Sequence, residues 1–590
     1  MPNNAKFDIG FEPHVLATQI GNQWEGWDSA RSGWKERYKE VLEYVYATDT
    51  TTTTNNSNPW SHTTHIPKLT QIYDNLGSQY HEALFGSDDW MDWLAAAPGA
   101  GIMEKRKAIL AYLRTKHEQS GFVSQMDELI DDWILSGNCF CMLIYVDETS
   151  QFGGEELSQY TGPRLVRISP LDIVFDVTAT SFRNSPKIIR TVMSLGDLAA
   201  EVEDRADHGY DPAIVSEILD VRHRVGQAAQ EDVIKTVQRQ YDGFSSSYGY
   251  YTSGMVEKLE FFGDIVDENG TLHRNQHIVI VDRTHVLRQG AVENYYGSGH
   301  VYHSGWRKRK DNLWAMGPLE NLLGMQYKIN HLENARADAF DKMLTPDRVI
   351  SGQVEEEEDG AVTTYYMDDA QGSVHNLSPD AQILNADFQI QRMELQMEAY
   401  AGAPSEAMGI RTPGEKTAFE VQELATAAHR LFMKRIGQFS REYLELILNG
   451  ELEVSVRNIR AGDVAYVLDD DFGVRDFLNI TPEDLSTRGV LRAMGARHYA
   501  IRSKKIQELQ SFQNVLQGDQ AIAVHFPAER RARAWAKLIS PDPTELFVKF
   551  GQIAENVEGE KAGIAAQNMV DEFSAAADEA LGLDGDVNEG

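Results

Sequence analysis

The chain reads as α+β and predominantly helical. Long stretches repeat apolar residues at helical steps of three and four, and shorter strand-like runs bounded by turn dipeptides lie between them. Hydrophobic residues make up 42% of the 590, enough for several cores, yet no run approaches the length of a membrane span.

At this length about four domain-sized units are expected. Lys plus Arg number 55 against 90 Asp plus Glu, a net charge of −35. Such a composition belongs to a folded chain rather than a disordered one. It has the wrong sign for tight nucleic-acid binding, which usually shows a basic face. The opening MPNNAKFDIG lacks the basic-then-apolar pattern of a secretory signal, so a cytosolic, reducing compartment and no membrane are expected. The only cysteines, Cys139 and Cys141, flank Phe140 on one expected strand and read as buried packing, because two ligands do not make a zinc site.

In chain order, helical patterns rich in tryptophan and tyrosine are expected at 24–46, 69–85 and 104–135. TDTTTTTNNSN at 48–58 reads as a polar low-complexity loop, and His62 and His65 of HTTH as surface or satisfied core histidines rather than metal ligands. Strands follow at 139–146, 164–168 and 172–176, then helix over 212–240, then a hairpin whose arms 256–266 and 277–281 flank Asn269-Gly270. A helix at 317–343 begins with Pro318 and ends before Thr345-Pro346; its apolar stripe is narrow, so it is expected to touch neighbouring chains or solvent more than its own core. A small β unit comes next, with strands at 347–354, 361–367 and 373–377. Its EEEE run, 355–358, lacks the alternating spacing of a calcium loop and reads as a solvated hairpin tip. A second helix runs over 385–401.

After it comes GIRTPGEKT, 409–417, within one residue of a phosphate-binding loop. Glu415 separates Gly414 from Lys416, which places a carboxylate where phosphate oxygens would sit, and Pro413 removes an N–H from the cradle. The flanking patterns are helical, whereas a P-loop follows a buried strand. Thr417 and Glu420 form a capping box for a long helix whose stop signal is Asn449-Gly450, with Gly437 as a bend or a packing site.

The stretches MGPLENLLGMQYKINHLENARADAF, GAPSEAMGIRTPGEKTAFEVQELATAAHRLF and LSTRGVLRAMGARHYAIRSKKIQEL, in this order, resemble portal (head-to-tail connector) proteins of tailed bacteriophages, the short-tailed type in particular. The resemblance implies a phage portal fold assembling as a ring, usually of twelve subunits. Residues 1–316 and 417–516 would form the wing, 317–344 and 385–403 the paired stem helices, and 345–384 the clip. Residues 404–416 would form the tunnel loop and 517–590 the crown and C-terminal tail. It also implies a virion location at one capsid vertex after assembly in the host cytoplasm. Double-stranded DNA would be driven in by a separate terminase large subunit and later ejected, with the major capsid protein and tail adaptor proteins as further partners.

On that reading Arg411 and Lys416 would touch DNA phosphates without reading sequence; the bland alternative pairs them with Glu406 or Glu415. Acidity would then give a channel wall without deep electrostatic wells. WRKRKDNLW, 306–314, offers Arg307, Lys308, Arg309 and Lys310 as secondary contacts, either to DNA or to acidic neighbours across a subunit interface. ERRARAWAKL, 529–538, could meet packaged DNA or be polar surface. No H-E-x-x-H, G-x-S-x-G or G-x-G-x-x-G motif occurs, so no catalytic residue, metal or cofactor is expected and the chain is read as a non-enzyme. The next readings are another virion structural protein, an internal ejection protein or capsid scaffold, and after that a P-loop-like NTPase.

Overall fold

In the computed structural model the described residues are 12–87, 90–96, 101–152, 155–204, 210–222, 232–244, 254–266, 269–291, 301–351, 354–359, 362–367, 373–377, 385–402, 431–459, 463–469, 474–485 and 489–495. All belong to one compact unit, Met1–Arg497; the second unit, His498–Gly590, lies outside them, and with it the expected crown and the 529–538 cluster. The architecture is mixed α and β with helix in excess of strand.

The chain opens with α1 (Pro13–Ala30) and α2 (Ser32–Val45), where one helix was expected. Arg31 breaks them apart. Its guanidinium donates to the carbonyls of Pro170 and Ile173 at 2.7 Å and of Leu171 at 2.5 Å, and so ties the junction to the core. Next, α3 (Lys68–Phe85) matches the sequence expectation to one residue, and β1 is Met91–Ala95. The pattern at 104–135 divides into α4 (Ile102–Ser120) and α5 (Phe122–Leu135), because Gly121 takes φ +67 and turns the chain in a conformation that a β-carbon disfavours.

A long hairpin follows: β2 (Asn138–Phe152) and β3 (Glu155–Ile168), well beyond the short runs read from hydrophobicity alone. β4 (Ile173–Phe175) and β5 (Lys187–Ser194) enter a second sheet, α6 (Leu195–Asp204) follows unanticipated, and α7 (Pro212–Arg222) and α8 (Val233–Tyr241) stand where a single helix over 212–240 was expected. β6 (Met255–Val266) and β7 (Leu272–Val281) pair around Asn269-Gly270, with Gly270 at φ +80, and β8 is His285–Ala291. The sheet order is β4-β5-β6-β7-β8, antiparallel throughout. Period-two alternation sends Leu259, Phe261, Ile278 and Ile280 toward Leu16, Ile20 and Trp24 of α1. The opposite face, Val256, Val279 and Val281, packs on Leu198 and Val202 of α6 and Ile218 of α7.

β9 (Val301–Gly305) joins β2, and β10 (Arg307–Arg309) with β11 (Asn312–Met316) forms a small hairpin. α9 (Leu323–Leu344) starts after a 3-10 turn at Glu320–Leu322. The β unit beyond it is a nested pair: β12 (Asp347–Ser351) pairs with β15 (Ser373–Leu377), and β13 (Val354–Asp359) with β14 (Val362–Met367). Glu355 to Glu358 therefore lie along a paired strand, opposite Tyr366 to Thr363, and not at a hairpin tip. α10 (Ala386–Ala401) returns and ends at Gly402, φ +79.

The last long helix, α11, is described from residue 431 and contains a π turn at Ser440–Leu444. It does not stop at Asn449-Gly450 but runs to Asn458. That dipeptide serves packing: a β-carbon on Gly450 would lie 2.1 Å from the Tyr302 hydroxyl, and Asn449 exchanges bonds of 3.0 and 2.9 Å with the backbone of Leu491. Leu491 sits in β18 (Gly489–Ala493), which pairs with β1, after β16 (Asp463–Asp469) and β17 (Val474–Ile480).

Candidate functional site

The resemblance directs attention to α9, α10 and the strands that lead into them. Three side chains on the supposedly exterior face of α9, Gln326, Asn330 and Asn334, are fully buried within their own chain. They face the stretch 61–69, which has neither helix nor strand up to Pro67 and enters the first turn of α3 at Lys68. Leu69 N–H donates to Gln326 Oε1 at 3.2 Å, Ile66 N–H to Asn330 Oδ1 at 3.3 Å, and Thr64 N–H to Asn334 Oδ1 at 2.8 Å. Ser61 and His62 N–H reach the Asp338 carboxylate at 3.0 and 3.2 Å. Gln326 and Asn334 donate back to the carbonyls of Ile66 and Thr64 at 2.6 and 2.8 Å.

The spacing explains the fit. Four helical residues advance about 6.0 Å. Two extended residues advance about 6.6 Å. Over Asp338, Asn334 and Asn330 a residue every four on α9 therefore meets every second amide, of His62, Thr64 and Ile66, and here the helix acts as a strand edge made of side chains; Gln326 instead meets Leu69 in the first turn of α3. The expectation that a helix polar around its girth must face other chains or solvent thus fails for this face.

The stretch 48–58, read as a polar low-complexity loop, is partly buried by the same contacts. It forms two 3-10 turns in which Thr50, Thr53 and Asn55 are buried, and Asn330 donates to Asn55 Oδ1 at 3.3 Å. Of the HTTH histidines, His62 binds Asp341 at 2.7 Å, and His65 meets Asn330 at 2.9 Å with its pKa pulled down by burial. Among the described residues no group of three or more His, Cys, Asp or Glu is placed to hold a metal ion. Cys139 and Cys141 are free, buried thiols whose pKa values burial pushes up.

Away from this ladder the burial of α9 fades. Phe340 and Leu344, one turn apart near its end, are 51% and 66% exposed, and Phe388 at the start of α10 is 73% exposed. An ion pair between Arg336 and Asp387 joins these ends, and a buried pair between Lys68 and Glu398 holds the other end of α10 near the ladder, so the two helices run antiparallel.

The basic run is strand β10 and the start of the turn after it, and Arg307, Lys308, Arg309 and Lys310 are all exposed. Asp311, φ +59, makes the turn. The flanking aromatics point inward. Trp306 packs on Trp133 and Tyr80 with ring centroids 4.5 and 5.5 Å away, and Trp314 packs on Trp34 at 4.6 Å. They anchor the hairpin and are not available to stack on bases.

Lys308 is paired with Glu442 of α11 at 2.5 Å. Arg309 acts on Glu320, which also lies 3.9 Å from Arg37; burial pushes the Glu320 carboxyl up despite both cations and the Gly317 N–H. Arg435 donates to the Trp306 carbonyl and lies against that ring, 5.9 Å from its centroid. Burial, with Arg307 beside it, pulls the Arg435 guanidinium down. Sequence reading missed Arg435, Arg37 and the whole amide ladder. The ladder had a visible signal in the four-residue spacing of Gln326, Asn330, Asn334 and Asp338; Arg435 had none. Arg411 and Lys416, and the capping box at Thr417, lie outside the described residues.

No protein-family model matches the chain, and no curated protein matches it closely enough to count as a relative.

Proposed function

We propose that this chain is the subunit of a portal-type ring, a conduit at one capsid vertex through which double-stranded DNA enters under a separate terminase large subunit and later leaves. The observation that carries this reading is where the apolar surface is left open. Of the six exposed aromatic side chains among the described residues, four (Tyr327, Phe340, Phe388 and Tyr400) sit on α9 and α10. An antiparallel helix pair that leaves aromatic groups uncovered by its own chain is a surface for further copies. The helix, β unit, helix order and the resemblance of these segments to portal stems and clip support the same reading. Twelve copies, the major capsid protein around the ring and tail adaptors at the β unit belong to this proposal, as do Arg411 and Lys416 as phosphate contacts.

Electron microscopy of the purified full chain tests it. Annular particles with a hole wide enough for duplex DNA are expected, with mass near twelve subunits. Monomers or filaments under all conditions would refute the reading and favour another virion structural role. Turnover of ATP abolished by Lys416→Ala would instead make the chain an NTPase.

A further inference from the structure

The cations around the β10–β11 hairpin outnumber the carboxylates near them. Lys308 is matched by Glu442, and Glu320 is shared between Arg37 and Arg309. Arg435 donates to the carbonyl of Trp306, the residue before Arg307, whose charge adds to the pull on the Arg435 pKa, and it has no carboxylate partner among the described residues. Like charges at close range repel. In a chain with 90 acidic residues against 55 basic ones, carboxylates to balance such a pair were abundant. Among the described residues no carboxylate balances Arg435, and an anion from outside the chain would do so.

Two classes of partner carry such charge, the acidic surface of another copy and a phosphate backbone. A docking surface between proteins has an apolar centre depleted in charge. None of the exposed large hydrophobic residues lies on β10 or β11. Contacts to nucleic acid are instead polar and strongly positive, and arginine forks match phosphate oxygens in pairs. The buried state of Trp306 and the inward packing of Trp314 remove base stacking, which leaves backbone contact without sequence preference.

We infer that Arg307, Arg309 and Arg435, with Arg37, form a phosphate-contact site for duplex DNA, made of residues other than Arg411 and Lys416. The inference rests on the conduit reading for the identity of the polyanion. Arg435 is held by the Trp306 carbonyl, and the hairpin arginines Arg307 and Arg309 are exposed. Glu442 restrains Lys308 from joining them.

The test is anisotropy titration of a fluorescent duplex of about 30 base pairs with the full-length protein, repeated between roughly 50 and 200 mM salt. Arg307→Gln/Arg309→Gln, both at exposed positions, should weaken binding by about tenfold or more near 100 mM salt and lower the log–log salt slope by about 2. Glu442→Gln should tighten binding by freeing Lys308. Absence of duplex binding by the parent protein, or an unchanged slope in the double variant, overturns the site. So does loss of self-association in that variant with duplex affinity unchanged, which would give the hairpin to a neighbouring copy. A lowered slope in a protein that never forms rings keeps the site and removes the conduit; rings with an unchanged slope do the reverse.

Discussion

The ground beneath α11 and the α9–α10 pair solve the same problem in opposite ways. Under α11, Trp133, Trp306, Tyr80, Phe432 and Phe439 interlock with ring centroids 4.5 to 5.5 Å apart, and the chain supplies every partner. Along α9 three of the six buried side chains, Gln326, Asn330 and Asn334, are amides, and the aromatic Tyr327 and Phe340 are left outside. The difference teaches that side-chain polarity does not by itself assign a helix face to solvent. What decides it is whether unpaired backbone amides lie within reach, and 61–69 supplies them.

Substitutions break this contrast in graded steps. Trp133→Ala should do the most harm, about 3–5 kcal/mol, because it opens a cavity beneath three other aromatic rings; denaturant unfolding of the full chain reads it.

A buried lysine comes next. Lys187 is 1% exposed among Phe175, Phe182 and Phe262, without a carboxylate partner among the described residues, and desolvation pulls its pKa down to about 7. The unfolded chain then holds more protons than the folded one between about pH 7 and 10.5. Stability should therefore rise with pH across that window, with the cost of the buried charge fully present below it. Nearby His303, pulled down to about 3 by burial with Lys308 and Lys187 adding to it, loses stability for the fold as pH falls through 6.5 toward 3. Lys187→Met should stabilise the protein near neutral pH, on the order of 3 kcal/mol, and flatten the alkaline rise in unfolding midpoints.

Asn330→Ala should cost about 2–3 kcal/mol, since it strands the Ile66 N–H and the amides and ring nitrogen around it. Faster hydrogen exchange confined first to 61–69 would be its signature. Phe388→Ser should change unfolding by less than about 0.5 kcal/mol yet abolish self-association, as sedimentation would show. A stable variant that still assembles would remove Phe388 from the contact between copies.

Much of this fold was legible in sequence. The helix at Lys68–Phe85 has a regular apolar stripe and clear ends, and the β6–β7 hairpin carries its Asn-Gly turn. Where reading failed, one residue type had two uses. Gly121 ends a helix by its left-handed conformation, whereas Gly450 sits within one to make room for Tyr302. Only the partner distinguishes them, and the partner is 148 residues away in sequence for Gly450. The amides of α9 were hidden for a related reason: a hydrogen-bonding side chain looks alike in sequence whether its partner is water or a peptide group.

The pitch match between α9 and 61–69 has a mechanical consequence. Gln326, Asn330, Asn334 and Asp338 are spread over about three turns of α9 and bind 61–69 in order, so a tug along the helix axis loads all of them at once rather than peeling them one after another. The base of α9 is therefore stiffest in the lengthwise direction, as a riveted lap joint is.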